Sequence, residues 1–274
     1  MCVNFHQCLF AISPNVCPCR QEAMPNPFVQ KLQNLVDLGP TEVALLAKVT
    51  ADPRTYAAKQ DLIREGDRPG PVFVVLEGWA CRYKILPSGT RQILAFLLPG
   101  DACDVHVNIL SQMDHSLQTI TDARIALIPG DKMDEIMSAN PRIATAMYKA
   151  QLVDESTLRS WIVSMGRRSS LERVAHLMCE LYLRSVVTDG GGEQVALPIS
   201  QIVLADAMGM TPVHVNRVLR SLRLAGAMAL SRGELTVLDP LKLVNIAGFD
   251  ENYLHRRRAQ SGAQQRSRRA SGVH

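Results

Sequence analysis

One stretch, residues 200–224, constrains the fold of this chain more than any other, because two short helical patterns flank a single glycine. The first pattern places four apolar residues on one helix face: Ile202, Leu204, Ala205 and Met208. Gly209 is expected to end this helix, because glycine adopts the left-handed conformation at little cost. Thr211 is a favourable N-cap and Pro212 a favourable first residue for a second helix. The stretch therefore predicts two helices joined by a tight turn.

The second helix has two faces of different chemistry. Its inward face carries aliphatic residues at helical spacing: Val215, Val218, Leu219 and Leu222. Its outward face carries polar and basic residues: His214, Asn216, Arg217, Arg220, Ser221 and Arg223. This combination is typical of a helix-turn-helix, whose second helix enters the major groove of DNA. An ordinary helical hairpin inside a core is the alternative interpretation.

A short hairpin is predicted after the helix pair. Residues 228–230 and 235–238 form its strands around a turn at Arg232 and Gly233, which makes a wing. This region resembles the winged helix-turn-helix of the Crp/Fnr superfamily of bacterial transcription regulators, in ADAMGMTPVHVNRVLRSLRLAG (205–226), SRGELTVLD (231–239) and LVNIAGFD (243–250).

The resemblance implies which side chains contact DNA. Four residues early in the second helix would contact bases: Pro212, Val213, Asn216 and Arg217. Arg217 matches the family's arginine, whose planar fork suits O6 and N7 of guanine. Val213 stands where members often carry glutamate, and it offers only an apolar contact. The DNA sequence of the half-site therefore cannot be inferred from that of the best-known members. Three residues would contact phosphates: Thr211, His214 and Arg220.

Residues 56–128 show a pattern of short strands separated by glycines at nearly even spacing, which is typical of a jelly roll. The region resembles the double-stranded β-helix of cyclic-nucleotide-binding domains in IREGD (63–67), VFVVLEGWACRYKI (72–85) and GTRQILAFLLPGD (89–101). The predicted fold class is α+β, with this jelly-roll sensor domain at 25–138, a long helix, and the winged helix-turn-helix domain at 168–250.

The expected ligand segment departs from the family pattern. Nucleotide-binding members resemble GDxFGE followed by RSAT, whose arginine pairs with the cyclic phosphate. This chain has GDACDV at 100–105 and HSLQT at 115–119, so His115 replaces the arginine. A largely neutral imidazole cannot form the bidentate clamp, and Asp104 repels a phosphate. We expect no cyclic nucleotide; the alternative is an effector site of Gly100, Asp101, Asp104, His115 and Ser116.

Residues 138–166 repeat apolar side chains at intervals of three and four, which predicts a helix of about 25 residues. A long amphipathic helix between two domains favours a dimer seam, and the matching helix forms the homodimer in the superfamily. The predicted dimerisation helix and hinge span 139–167. A helix that packs only on its own barrel is the alternative.

Several cysteines and histidines could carry metal or redox chemistry. The spacing of the N-terminal cysteines differs from the C-x2-C-x5-C of the family's iron–sulfur sensors, so a disordered tail at 1–24 is favoured over a cluster: Cys2, Cys8, Cys17 and Cys19. Structural roles are favoured over a metal site for Cys103, His106 and His115, and no metal or cofactor is predicted. Cys179 is either a buried thiol, which is favoured, or a redox switch.

The 274 residues include 47% hydrophobic residues and carry a formal net charge of +4. No apolar run approaches the roughly 20 residues that span a bilayer, and residues 1–12 lack the basic start of a secretory signal, so we expect a cytoplasmic protein without a membrane partner. Translation could start at Met24 instead of Met1. The arginine-rich segment 251–274 is expected to be a disordered tail that adds phosphate contacts or only solubility.

Together these patterns predict a homodimeric, sequence-specific transcription regulator on a palindromic operator. Its implied partners are double-stranded DNA, a second copy of the chain and RNA polymerase. An enzyme is disfavoured, because the sequence offers no nucleophile–base pair, Gly-rich phosphate loop or clear metal spacing. The alternative is a regulator gated by a cyclic nucleotide, by another small molecule, or by cysteine redox state.

Overall fold

The computed structural model describes residues 26–103, 105, 109–189 and 194–255. The helices in these ranges are α1 Pro27–Leu35, α2 Pro40–Val49, α3 Gly130–Ala139, α4 Pro141–Arg167, α5 Ser170–Asp189, α6 Gln201–Met208, α7 Pro212–Leu224 and α8 Pro240–Ala247, with a 3₁₀ turn at Glu251–Leu254. The strands are β1 Arg54–Tyr56, β2 Asp61–Ile63, β3 Val72–Glu77, β4 Ala80–Ile85, β5 Arg91–Leu97, β6 Ala102–Cys103, β7 Ser116–Thr119, β8 Ala123–Ile128, β9 Gln194–Ala196, β10 Met228–Ser231 and β11 Glu234–Val237. The predictions for the N-terminal cysteines, Asp104 and His106 concern residues outside the described ranges.

Two four-stranded antiparallel sheets face each other and form the barrel (β1–β8). One sheet has the strand order β1-β8-β3-β6 and the other the order β2-β7-β4-β5. Residues from both sheets bury a shared core: Ile63, Phe73, Val75, Leu97, Leu117 and Ile125. The prediction of a double-stranded β-helix is therefore confirmed.

Helices α1, α2 and α3 and the first half of α4 pack on the outer face of β3 and β8. Their apolar side chains form a second core: Phe28, Leu32, Leu46, Val72, Val74, Ile128, Met133 and Ile143. Asn26 caps α1, because its Oδ1 accepts from the backbone N–H groups of Phe28 and Val29 at 3.0 and 3.2 Å. Gly100 has a φ of +93°, and a Cβ there would lie 2.7 Å from the carbonyl oxygen of Pro27. A glycine therefore allows α1 to pack directly on this turn.

The outer face of β4 and β5 is covered by the C-terminal unit, residues 170–255. The ring of Phe96 lies edge-on to two tryptophans, with centroids 6.2 Å from Trp79 and 6.0 Å from Trp161 of α4. One apolar core continues from this sheet into α5, α6 and α7. The Nε2 of Gln92 also donates to the carbonyl oxygen of Ala207 at 3.1 Å. Barrel and C-terminal unit are thus packed against each other.

The C-terminal unit places helices α5–α8 around the antiparallel sheet β10-β11-β9. Strands β10 and β11 form the predicted hairpin, from Met228 opposite Val237 to Ser231 opposite Glu234. Helix α6 ends at Gly209 with a φ of +62°. Thr211 caps α7, because its Oγ1 accepts from the N–H of His214 at 3.3 Å. The winged helix-turn-helix predicted from these local signals is confirmed.

Two sequence expectations are wrong. Ile202 was expected on the inward face of α6 but is 62% exposed, because Leu204, Ala205, Ala207 and Met208 already form the buried side of this short helix. The C-terminal tail does not begin at 251, because Leu254 is only 5% exposed and the hydroxyl of Tyr253 donates to Glu180. These contacts order the 3₁₀ turn, and the folded unit extends beyond residue 250. No helix in the described ranges has the length and apolarity needed to cross a membrane.

Candidate DNA interface

Helix α7 is held by its apolar face. Val215 and Leu222 are fully buried and Val218 is nearly so, and the helix packs against α5, α6 and β10. These contacts fix the rotation of the helix about its own axis. Asn216, Arg217, Arg220 and Ser221, which lie between the buried positions, therefore face solvent.

Six of the seven residues predicted to contact DNA lie on that exposed surface: Thr211, Pro212, Val213, Asn216, Arg217 and Arg220. Val213 is 64% exposed. The seventh, His214, is half-buried, and its Nε2 is buried without a hydrogen-bond partner in the described part of the chain. A phosphate contact from His214 would therefore have to use Nδ1.

The exposed surface of α7 is basic. Arg217, Arg220 and Arg223 are exposed, and none forms an ion pair with another described residue. An arginine without an internal partner can bind a phosphate or a guanine without first breaking an ion pair. The arrangement thus offers three free guanidinium groups along one helix.

Gln201, at the first turn of α6, was missed by the sequence analysis. Its Oε1 accepts from the Nδ2 of Asn216 at 3.2 Å, and both side chains are exposed. The contact brings together residues 15 positions apart, and it depends on how α6 and α7 pack. The sequence feature that could have identified Gln201 is Ser200, a good N-cap. It places Gln201 at an exposed helix start, where phosphates often bind.

The wing lies next to α7. Arg232 and Gly233 form its turn, with φ values of +53° and +80°, and Arg232 is exposed. Strand β10 of the wing packs on α7, and the wing turn adds a further exposed cation. This position suits a contact with the DNA backbone.

The barrel contains a separate cavity of about 430 Å³ between α1, the barrel mouth and α4. Of the five residues predicted for an effector site, Gly100 and His115 line this cavity, and Asp104 lies outside the described residues. The Nδ1 of His115 is 2.6 Å from the Oδ1 of Asp114. Arg82, also in the cavity wall, has its Nη1 3.5 Å from the Oδ2 of Asp154.

Asp101 and Ser116 were predicted for the effector site but do not line the cavity. Asp101 is buried and pairs with Lys31 and Arg184, and it accepts from the N–H of Leu98 at 2.8 Å. Burial alone would raise the pKa of Asp101, but the two cations outweigh it and hold that pKa below its usual value. Ser116 is 7% exposed and its Oγ accepts from the N–H of Glu65. Both side chains are therefore occupied by structural contacts.

The thiol of Cys179 is buried. Burial raises the pKa of Cys179 to about 12, so the thiol is protonated at neutral pH and is a poor nucleophile. The Sγ of Cys103 donates to the carbonyl oxygen of Phe73. In the ranges that the structure covers, no three His, Cys, Asp or Glu side chains are grouped so as to hold a metal ion.

An exposed basic helix backed by a second helix and a wing defines a DNA-binding regulator with a winged helix-turn-helix. Residues 172–246 match the Crp-like helix-turn-helix domain, and residues 53–140 match the cyclic nucleotide-binding domain. The chain belongs to the Crp/Fnr superfamily of transcription regulators.

Relatives of known function support this assignment. The chain is 28% identical over 192 residues to the nitrogen fixation regulation protein FixK of Bradyrhizobium diazoefficiens, covering 70% of this chain and 80% of the relative. It is 26% identical over 204 residues to the transcriptional activator protein FnrL of Cereibacter sphaeroides, covering 73% and 82%. The structure of FixK2 from Bradyrhizobium japonicum has the same fold, with a TM-score of 0.65 and 22% identity over 73% of this chain and 98% of that one.

Proposed function

We propose that this chain is a homodimeric, sequence-specific transcription regulator that binds a palindromic operator through α7. The observation that carries the proposal is the exposed face of α7, where Asn216 and Arg217 stand beside Val213. Arginine forms two hydrogen bonds with guanine, asparagine does so with adenine, and valine suits a thymine methyl group. Thr211, Arg220 and the wing would then position the helix on phosphates.

A dimer is supported by the free surface of α4. Large apolar side chains recur along this helix and are at least half exposed: Tyr148, Leu152, Ile162 and Val163. Tyr148, Leu152 and Ile162 fall at heptad-like spacing, which suits pairing with a second copy of the same helix. Such pairing would cover an apolar surface that a monomer leaves in water. RNA polymerase is the further partner that this function implies.

This assignment gives each segment of the chain a separate function. Residues 25–138 form the sensor or dimer scaffold, α4 the dimer helix, and residues from Ser170 onward the DNA-binding domain. The linker is short, because α4 ends at Arg167 and α5 begins at Ser170. Cys179 is given no redox role, because its thiol is buried and protonated.

The cavity favours an effector other than a cyclic nucleotide as the second candidate function. The two cations among the described residues that line the cavity, Lys31 and Arg82, already pair with Asp101 and Asp154, and His115 contacts the carboxylate of Asp114. We expect no heat when cyclic AMP or cyclic GMP is titrated into the protein in a calorimeter. A micromolar isotherm for either nucleotide would contradict this reading of the cavity.

The proposed function is tested by selecting binding sites for the full chain from a random DNA library. We expect an inverted repeat whose half-sites lie about one helical turn, roughly 34 Å, apart, because two copies of α7 enter successive major grooves. Sedimentation of the complex should show two chains per DNA duplex. Recovery of no preferred sequence, or of one chain per site, would refute the proposal.

A further inference from the structure

A cluster of charged and polar side chains joins the barrel to the C-terminal unit, with Asp101 and Glu180 buried and Arg184 partly buried. Its centre is Arg184 of α5, whose Nη2 donates to the Oδ2 of Asp101 and to the carbonyl oxygen of Phe96, both at 2.8 Å. The Nη1 of Arg184 donates to the Oε1 of Glu180 at 3.2 Å. Lys31 of α1 pairs with the other oxygen of Asp101. Barrel residues thus occupy one side of the guanidinium group and a residue of α5 the other.

Glu180 connects this cluster to two further elements. Its Oε2 accepts from the Nε1 of Trp161 in α4 and from the hydroxyl of Tyr253 in the 3₁₀ turn, both at 3.0 Å. The side chain is completely buried. Burial raises the pKa of Glu180, although Arg184 and the two donors oppose the rise. All of these contacts form together only when the barrel, α4, α5 and the 3₁₀ turn keep their present positions.

The hydrogen bonds of this cluster depend strongly on the relative orientation of the elements that form it. The apolar core between the same elements depends on that orientation much less. Rotating the C-terminal unit about the linker would separate Arg184 from Asp101 and Phe96. Arg184 would keep only its ion pair with Glu180 in the same helix, and Asp101 only its pair with Lys31. Breaking the Arg184–Asp101 pair at a largely buried boundary is unfavourable. An apolar contact tolerates a small sliding motion, whereas a buried hydrogen-bonded network does not.

The position of α5 determines the position of α7, because the two helices pack against each other. In the present arrangement the barrel leaves Val213, Asn216 and Arg217 exposed. A dimer can bind its two half-sites together only if both copies of α7 are correctly placed. The orientation of the C-terminal unit on the barrel therefore bears directly on operator affinity.

We propose that Asp101, Arg184 and Glu180 form an interdomain latch that holds α7 in the orientation for operator binding. Arg184 is then a positioning residue, which acts on DNA affinity without touching DNA. This inference rests on the proposed function, because it takes α7 as the DNA-binding helix.

The test uses the full chain and its Arg184→Met, Asp101→Asn and doubly substituted variants. Each single variant is expected to bind operator about 10-fold more weakly, because it breaks the ion pair that joins α5 to the barrel. The double variant should lose much less than the product of the two effects, because both changes remove the same contact. Trypsin should cleave after Arg167 and Arg168 faster in all three, as followed by mass spectrometry.

Two further variants separate positioning from general loss of structure. Arg184→Lys keeps a positive charge near Asp101 and should regain part of the affinity and of the protease resistance. Arg124→Met removes a cation whose partner, Glu77, lies in the same sheet at 2.6 Å. This control should leave both measurements unchanged.

Unchanged or tighter operator binding by Asp101→Asn and Arg184→Met would overturn the latch. Weaker binding with unaltered cleavage in the linker would overturn it as well, because the orientation would then be intact. If the unaltered chain binds no operator, the proposed function fails. Linker cleavage then still decides whether the two units are latched, and equal cleavage in all variants refutes the latch.

Discussion

Replacing Arg217 with alanine tests whether α7 contacts bases. The side chain is exposed and forms no ion pair with any described residue, so its loss should leave the free protein's stability unchanged. A bidentate arginine–guanine pair discriminates against the wrong base by about 1–3 kcal/mol. Since a dimer makes the contact twice, the expected loss of operator affinity is about 2–6 kcal/mol if the half-sites add.

Competition binding against a library of single-base operator variants, at fixed salt, measures this effect. Arg217→Ala should abolish the preference at one base pair in each half-site, and Arg217→Lys should restore only part of it, because an ammonium group lacks the planar fork. Arg220→Ala is the matched control. It removes the same side chain nearly one turn further along the exposed face and should weaken all variants alike. If Arg217→Ala also weakens all variants equally, Arg217 is a phosphate contact and the assignment is wrong.

Two other predictions follow from the described contacts. Burial, aided by Arg168, lowers the pKa of His176 to about 4, below its usual 6.5, so the unfolded chain binds the proton first. The contribution of neutral His176 to the free energy of unfolding should be complete above pH 6.5. Up to about 3 kcal/mol of that free energy should be lost as the pH falls to 4. Chemical denaturation of His176→Phe should show a smaller loss of unfolding free energy over this pH range than the unaltered chain shows. An equal loss in both proteins would refute the argument. Truncation after His255, which removes six arginines, should weaken binding to all DNA alike and flatten its salt dependence; a changed base preference would contradict this.

The sequence was sufficient for features that depend on neighbouring residues. The Gly209 turn, the Thr211 cap and the alternation of buried and exposed positions in α7 follow from local chemistry, and all three are present. The succession of short strands in the barrel was predictable for the same reason, because the turns between them contain recognisable turn residues.

Features that depend on distant packing were not predictable. Asp101 was a candidate for the alternative effector site, but its partner Arg184 is 83 residues away, and no local pattern connects them. Tyr253 and Leu254 lie at the start of the segment predicted to be a tail, yet they complete the core around α5. Ile202 has the residue type of a core position, but the short α6 buries its other side. In each case the residue type allows more than one role, and the packing of distant segments determines which role the residue has.

The central claim, that the exposed face of α7 contacts DNA in both halves of a symmetric site, is tested most directly by photo-crosslinking. A photoreactive side chain at Val213, which is 64% exposed, should form adducts with the equivalent base in both half-sites of the selected operator. The same group at Lys59, exposed on the barrel, should form none. Adducts in only one half-site, or equal yields from both positions, would contradict the account.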